Sequence, residues 1–175
     1  PADGEVYIVY ATSAGSGALL GGITFDEKPD LSDLNDPTSI DGDSLGDNWE
    51  NFYFDDLTTA DDSTNSDTDA LTDLDEWNHF INSDQRINPL AADTDSDTLA
   101  DDAEIDNHNT DPTNTDSDDD GLPDGYEIDN NLDPNVNTGD DGATGDPDLD
   151  TLDNITEFGL GTDPNKDDTD EDGYK

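Results

Sequence analysis

The chain has no cysteine and no methionine in its 175 residues. Without thiols no disulfide can staple the fold and no thiolate metal site exists. The absence of Met, with Pro1 in first place, reads as a processed mature chain or a fragment. Basic residues number 4 against 50 acidic ones, a formal charge of −46. Such a field repels nucleic acid and an anionic membrane surface alike. Only 28% of residues are hydrophobic, and no run approaches the roughly 20 apolar residues that a membrane span requires. No basic segment leads into an apolar one at the start, so any signal peptide is expected to have been removed. His79 and His108 have no second nitrogen or thiolate ligand near them in sequence and are expected to be exposed or capping residues, not zinc ligands. There is no Ser/His/Asp order, no nucleotide-binding glycine loop and no basic patch, and no enzymatic activity is expected.

So little apolar area and so much like charge would by themselves give a disordered chain. The alternative is that something positive holds it, and the natural counter-charge is a hard divalent cation. The phase of the acidic residues favours the alternative. Of eight glutamates, Glu50, Glu76, Glu104, Glu127 and Glu157 each close the same twelve-residue pattern, five residues after a leucine. The copies are SIDGDSLGDNWE (39–50), NSDTDALTDLDE (65–76), DTDSDTLADDAE (93–104), DSDDDGLPDGYE (116–127) and DPDLDTLDNITE (146–157), and a sixth begins at 168 and runs to 175. A disordered tail or a salt-adapted surface would scatter its carboxylates without phase.

The spacing is that of a calcium loop: alternate carboxylates at positions 1, 3 and 5, a tight turn at 6, and a longer Glu at 12 that grips the ion with both oxygens. The fourth copy assigns Asp116, Asp118 and Asp120 as side-chain ligands, the Leu122 carbonyl at position 7, Asp124 directly or through water, and Glu127 as the bidentate ligand. The same roles fall on Asp93, Asp95, Asp97, Leu99, Asp101 and Glu104, and on Asp146, Asp148, Asp150, Leu152, Asn154 and Glu157. They fall also on Asn65, Asp67, Asp69, Leu71, Asp73 and Glu76, on Asp41, Asp43, Asp47 and Glu50, and on Asp168, Asp170 and Asp172. Asp102, Asp111 and Asp163 are candidates for a second ion between repeats. All-oxygen donors favour calcium or magnesium over zinc or copper, and six or seven flexible donors favour calcium, so several Ca2+ ions are expected, about one or more per repeat. Sites of this kind on extracellular modules bind at about 10⁻⁴ to 10⁻³ M. At millimolar calcium each then contributes on the order of 1 kcal/mol to folding.

Two parts follow. Residues 1–38 form an N-terminal β segment. Residues 5–11 (EVYIVYA) are β-branched and aromatic, residues 23–25 give a second short strand, and residues 52–54 (FYF) offer a third. Residues 39–175 are the tandem loops, starting 22 to 30 residues apart. A short helix is expected from about position 9 of each loop, stopped by Asn or Gly in a left-handed cap, then a Pro-fixed turn at Asn88-Pro89, Asp111-Pro112, Asp133-Pro134 or Asp163-Pro164. The fold class is thus loop-rich tandem repeats with short helical turns. Trp49, Trp77 and Tyr126 flank the glutamates and read as lids on a small core. Asn154-Ile155-Thr156 matches a glycosylation sequon but lies inside a metal loop and is discounted.

Paired EF-hands do not fit. Only 10 to 18 residues separate one Glu from the next loop, and position 8, apolar in an EF-hand, is Gly46, Thr72, Ala100, Pro123 and Asp153. The pattern D-x-D-x-D-G-L-x-D-x-x-E, an apolar residue, then T-D-P and the next acidic loop, carried most fully by EIDNHNTDPTNTDSDDDGLPDGYE (104–127) and EFGLGTDPNKDDTDEDG (157–173), resembles thrombospondin type 3 repeats of the bacterial form. The resemblance covers residues 39–175. It implies calcium-stabilised, non-enzymatic spacer segments of secreted and cell-surface proteins. The chain departs from it at position 6, where Ser44, Ala70, Thr98 and Thr151 replace glycine and are expected to strain the turn. Ser39 and Asn65 at position 1 each remove a carboxylate.

The function expected is structural: a calcium-stiffened segment of a secreted or cell-surface protein, a stalk or fibre subunit, with residues 6–10 completing a sheet in a copy of itself by strand addition. A dockerin-like interaction module ranks below, because dockerins carry two loops with apolar pairs on the following helices. A mineral-templating protein ranks lower still, since it needs flat outward arrays of carboxylates.

Overall fold

A computed structural model describes Leu34 and residues 37–83 and 85–173. The chain divides into two compact units after Asp61, so the first loop falls in the first unit. The 5–11 and 23–25 strands lie outside the described residues. Among those described there is no strand, and no helix is long and apolar enough to cross a membrane.

Five short helical segments carry the fold: α1 Asp47–Phe54, α2 Asp73–Ser83, α3 Asp101–Ala103 continuing as a π turn Glu104–His108, α4 Asp124–Asp129 and α5 Asn154–Leu160. Each begins at position 9 of its loop. The local reason is repeated in every copy. Position 8 is extended, as at Gly46, Ala100, Pro123 and Asp153, and an acidic residue at position 9 or 12 complements the positive end of the helix dipole. The position-9 N–H donates to the carbonyl just before the loop: Asp47 to Thr38, Asp73 to Thr64, Asp101 to Ala92, Asp124 to Thr115 and Asn154 to Gly145, all within 2.9–3.1 Å. The helices end where a residue turns left-handed, at Asp55, Asn109, Asn131 and Gly161, as Asn and Gly tolerate. Helices this short are not stable alone in water; the loops and the packing between repeats hold them.

In the first unit Leu34, Leu45, Trp49 and Ala60 are buried. Residues 52–54, expected as a third strand, are instead the last turn of α1. The helix started by Asp47 sets Trp49 and Tyr53 four residues apart on one face, with ring centroids 5.2 Å apart, and Phe54 lies 5.7 Å from the indole. Aromatic burial on Trp49 outweighs the β propensity of the tripeptide.

In the second unit Trp77 and Phe80 are buried with their rings 5.8 Å apart, and Ile87 is buried too. Leu122, Leu132 and Ala143 form another, flanked by Tyr126 and Ile155. Tyr126 also stacks on Phe158 at 4.8 Å. Between loops the Asx-Pro turns repeat. Asn88, Asp111, Asp133 and Asp163 each accept at the carbonyl from the N–H three residues on and at the side chain from the N–H two residues on. Pro89, Pro112, Pro134 and Pro164 are all buried. The residue after proline then ties repeats together: the Asn135 amide donates to the His108 carbonyl (3.1 Å) and Asn165 to the Asn130 carbonyl (2.6 Å), each at the end of an earlier helix. These bonds tie the third repeat to the fourth and the fourth to the fifth.

Candidate metal centres

The loops bring their carboxylates to common centres. One carboxylate oxygen from each member lies within 4.8 Å of the others in Asp93–Asp95–Asp97, Asp116–Asp118–Asp120, Asp146–Asp148–Asp150 and Asp168–Asp170–Asp172, and in Asp41, Asp43 and Glu50 of the first loop. Ser39, at position 1 of that loop, donates its hydroxyl to Asp41 (3.0 Å) and Asp43 (3.3 Å). The second loop forms no comparable acidic triad: Asn65 turns its amide onto the Asp69 carbonyl at 2.9 Å.

Backbone amides set the aspartates. The position-3 carboxylates of Asp67, Asp95, Asp118 and Asp148 accept with Oδ1 from the N–H of position 5 at 3.0–3.2 Å. The position-5 carboxylates accept from the N–H of Leu71, Leu99, Leu122 and Leu152 at 2.7–2.9 Å. Position 1 closes the turn, taking the position-6 N–H in Asp93, Asp116, Asp146 and Asp168. At position 3 one oxygen is thereby fixed and the other is left for the centre. The Oδ2 atoms of Asp67, Asp95, Asp118 and Asp148 are buried with no hydrogen-bond partner.

The position-12 glutamates complete the pattern. Glu50, Glu76, Glu104, Glu127 and Glu157 are each at most 1% exposed, although glutamate ordinarily lies at the surface. Oxygens on all five have no donor. Burial, then the aspartates of the same loop, push the carboxyl of Glu50 up to about 8, those of Glu76, Glu104 and Glu127 to about 9, and that of Glu157 to about 7. Burial likewise raises Asp95 to about 7 and Asp118 to about 6. A buried carboxylate oxygen without a donor is costly, and at least one on each of five glutamates at one repeating position is what a hard cation would compensate. The donors are all oxygen, which suits calcium or magnesium. The acidic clusters can thus hold metal ions.

Position 9 is placed differently from positions 1, 3 and 5. Asp73, Asp101 and Asp124 are fully buried, and each carboxylate takes both the N–H and the hydroxyl of position 2: Ser66 (2.9 and 2.9 Å), Thr94 (2.8 and 2.8 Å) and Ser117 (2.8 and 2.7 Å). Asp47 takes the Ile40 N–H at 3.0 Å. The position-2 hydroxyl also accepts from the Asx-Pro turn before it, Thr94 from Asn88, Ser117 from Asp111 and Thr169 from Asp163. This link from turn to loop to helix has one signal in the sequence, Ser or Thr at position 2 in four of six loops, and spacing alone does not reveal it. The fifth loop has Pro147 there, with neither N–H nor hydroxyl. Its position 9 is Asn154, whose amide donates to the carbonyls of Asp140 and Gly142 at 2.9 Å each and which is fully buried. That burial also removes the Asn154 sequon from reach. Of the candidates for a second ion, Asp111 and Asp163 accept at their turns, and Asp163 also pairs with Lys166 at 2.9 Å. His79 Nε2 meets the Gln85 side chain.

The strain expected at position 6 is real in two loops. Thr98 and Thr151 sit at φ 88° and 87°, where Gly121 and Gly173 have 105° and 91°. For a β-branched residue such a backbone costs roughly 1–3 kcal/mol. Ser44 and Ala70 avoid it. Thr98→Gly and Thr151→Gly are each expected to stabilise the calcium-loaded chain by about 1 kcal/mol after the entropic cost of glycine, read from melting in millimolar calcium, with Ser44→Gly giving no gain.

Compared with family models, curated proteins and solved structures, the chain matched none.

Proposed function

We propose that this chain is a calcium-stabilised, non-enzymatic repeat segment of a secreted or cell-surface protein, a stalk or fibre subunit of the thrombospondin type 3 kind. The observation that carries it is the set of five buried position-12 glutamates with donorless oxygens, each facing the like charge of its own loop's aspartates. Calcium is favoured over magnesium because a long bidentate Glu and a flexible loop suit a larger ion with more ligands. Millimolar calcium is available mainly outside cells, which supports an extracellular site of action. In this reading metal binding is folding free energy, and the acidic centres take the place of a larger apolar core. The test is isothermal titration with calcium and then with magnesium, alongside far-UV circular dichroism. At least four calcium ions per chain, with helix content restored by calcium and not by matched sodium chloride, is the expected result. Helix content that is indifferent to chelator would remove the reading.

A further inference from the structure

The position-5 carboxylates of the third and fourth loops each serve two repeats. Asp97 accepts with Oδ1 from Leu99 of its own loop at 2.8 Å and with Oδ2 from the N–H of Gly125 at 2.8 Å, a buried bond to the first turn of α4. The approach is close. A Cβ on Gly125 would lie 2.5 Å from the Asp97 carbonyl oxygen and 2.6 Å from Thr98 Oγ1. Asp120 repeats the arrangement. Its Oδ1 accepts from Leu122 at 2.9 Å, and its Oδ2 accepts from the N–H of Ala143, whose carbonyl takes the Ile155 N–H of α5 at 3.0 Å. In each case a residue that lines one acidic centre also holds the start of the helix that carries the next loop's Glu, Glu127 or Glu157. Loop two lacks the link: Asp69 Oδ2 is buried without a donor.

We infer that Asp97 and Asp120 are positioning residues that couple the ion sites of loops three, four and five, so that filling one loop pre-orders the next. The inference rests on the calcium reading above. An ion drawing Asp97 to its centre fixes the oxygen that fixes Gly125, and with it the first turn of α4 and the approach of Glu127. Because coupling between binding sites is reciprocal, filling loop four must tighten loop three by the same factor.

Backbone amides report each loop separately in a calcium titration followed by NMR. Gly121 donates to Asp116 of loop four (2.7 Å), Thr98 to Asp93 of loop three (3.1 Å) and Thr151 to Asp146 of loop five (3.2 Å). Emptying loop three with Glu104→Gln is expected to raise the calcium midpoint at Gly121 about tenfold, within the usual range of coupling. In an Asp97→Asn background, where an amide group opposes the Gly125 N–H, the Gly121 midpoint is already raised and Glu104→Gln adds nothing. Emptying loop two with Glu76→Gln leaves Thr98 where it was. A Gly121 midpoint unmoved by Glu104→Gln, or moved equally with and without Asp97→Asn, overturns the coupling while leaving the calcium reading intact. Failure of Gly121 to respond to calcium at all removes the reading itself. If Glu104→Gln does not fold at saturating calcium, the same cycle is run one interface on, with Glu127→Gln read at Thr151 and Asp120→Asn as background.

Discussion

In excess chelator the melting temperature is expected to fall as pH rises from about 5 to 9, and in millimolar calcium this fall disappears or reverses. The sign follows from the five buried glutamates. Their unfolded carboxyls titrate near 4.5, whereas burial and the aspartates of the same loop lift the folded, metal-free ones to between about 7 and about 9. Between those values the folded chain binds more protons than the unfolded one, so stability declines with rising pH. Below about pH 4.5 both states are protonated and the favourable contribution is complete; it is lost as pH passes through the folded values. A shift of a single unit at each of five sites amounts to about 7 kcal/mol, comparable with the whole stability of a domain. The chelated chain at pH 8 is therefore expected to be largely unfolded. Calcium competes with those protons, so its affinity climbs with pH and cancels the trend. Calorimetry at pH 5, 7 and 9, with and without chelator and at high sodium chloride to screen general repulsion, decides it. Parallel pH curves in the two conditions would mean that the buried glutamates do not face a cation.

Glu127→Gln is expected to change sign with the medium. Glutamine has the shape of glutamate without its charge. In chelator near pH 7.5 the substitution relieves a buried carboxyl that lacks any donor and is expected to stabilise the chain by about 2 kcal/mol. In calcium it removes the bidentate grip, lowers the ion count by one and weakens the fourth loop more than about tenfold. At pH 5 the gain in chelator nearly vanishes, because Glu127, held near 9 when folded, then takes up its proton at little cost, whereas at pH 7.5 the unfolded carboxyl is ionised and folding must protonate it. Melting in chelator with an osmolyte to bring the unfolded chain into range, paired with calcium titration, reads both signs. Glu171, exposed at position 4 of the sixth loop, is the control: Glu171→Gln alters neither. A Glu127→Gln chain less stable in both media would assign Glu127 to packing alone.

Part of this architecture is legible in the residues alone. The start of each helix at position 9 follows from the fixed distance between the aspartates and Glu at position 12, and the left-handed ends at Asn109, Asn131 and Gly161 follow from residue type. The rest is carried by hydrogen bonds that leave no hydrophobic period. The bond from Ser117 to Asp124 spans seven residues and that from Gly125 to Asp97 spans 28; neither makes an apolar stripe that a pattern search detects. The aspartates of positions 5 and 9 look alike in sequence. One is split between an acidic centre and the next helix, and the other is absorbed by a serine or threonine. The aromatic tripeptide at 52–54 reads as a strand and folds as a helix because β propensity is a weak local preference, overridden once Asp47 starts a helix with Trp49 on its inner face.

The bonds from one repeat to the next also govern how such a chain would yield to tension. Among the described residues of the second unit, the side-chain bonds that tie one repeat to the next span 19 to 35 residues, so a pull on the two ends of that unit is expected to load its repeats in series. With loop starts 22 to 30 residues apart and about 3.5 Å of extended chain per residue, each rupture frees roughly 80–100 Å of contour. The force needed for each step would be set by the calcium concentration around the chain.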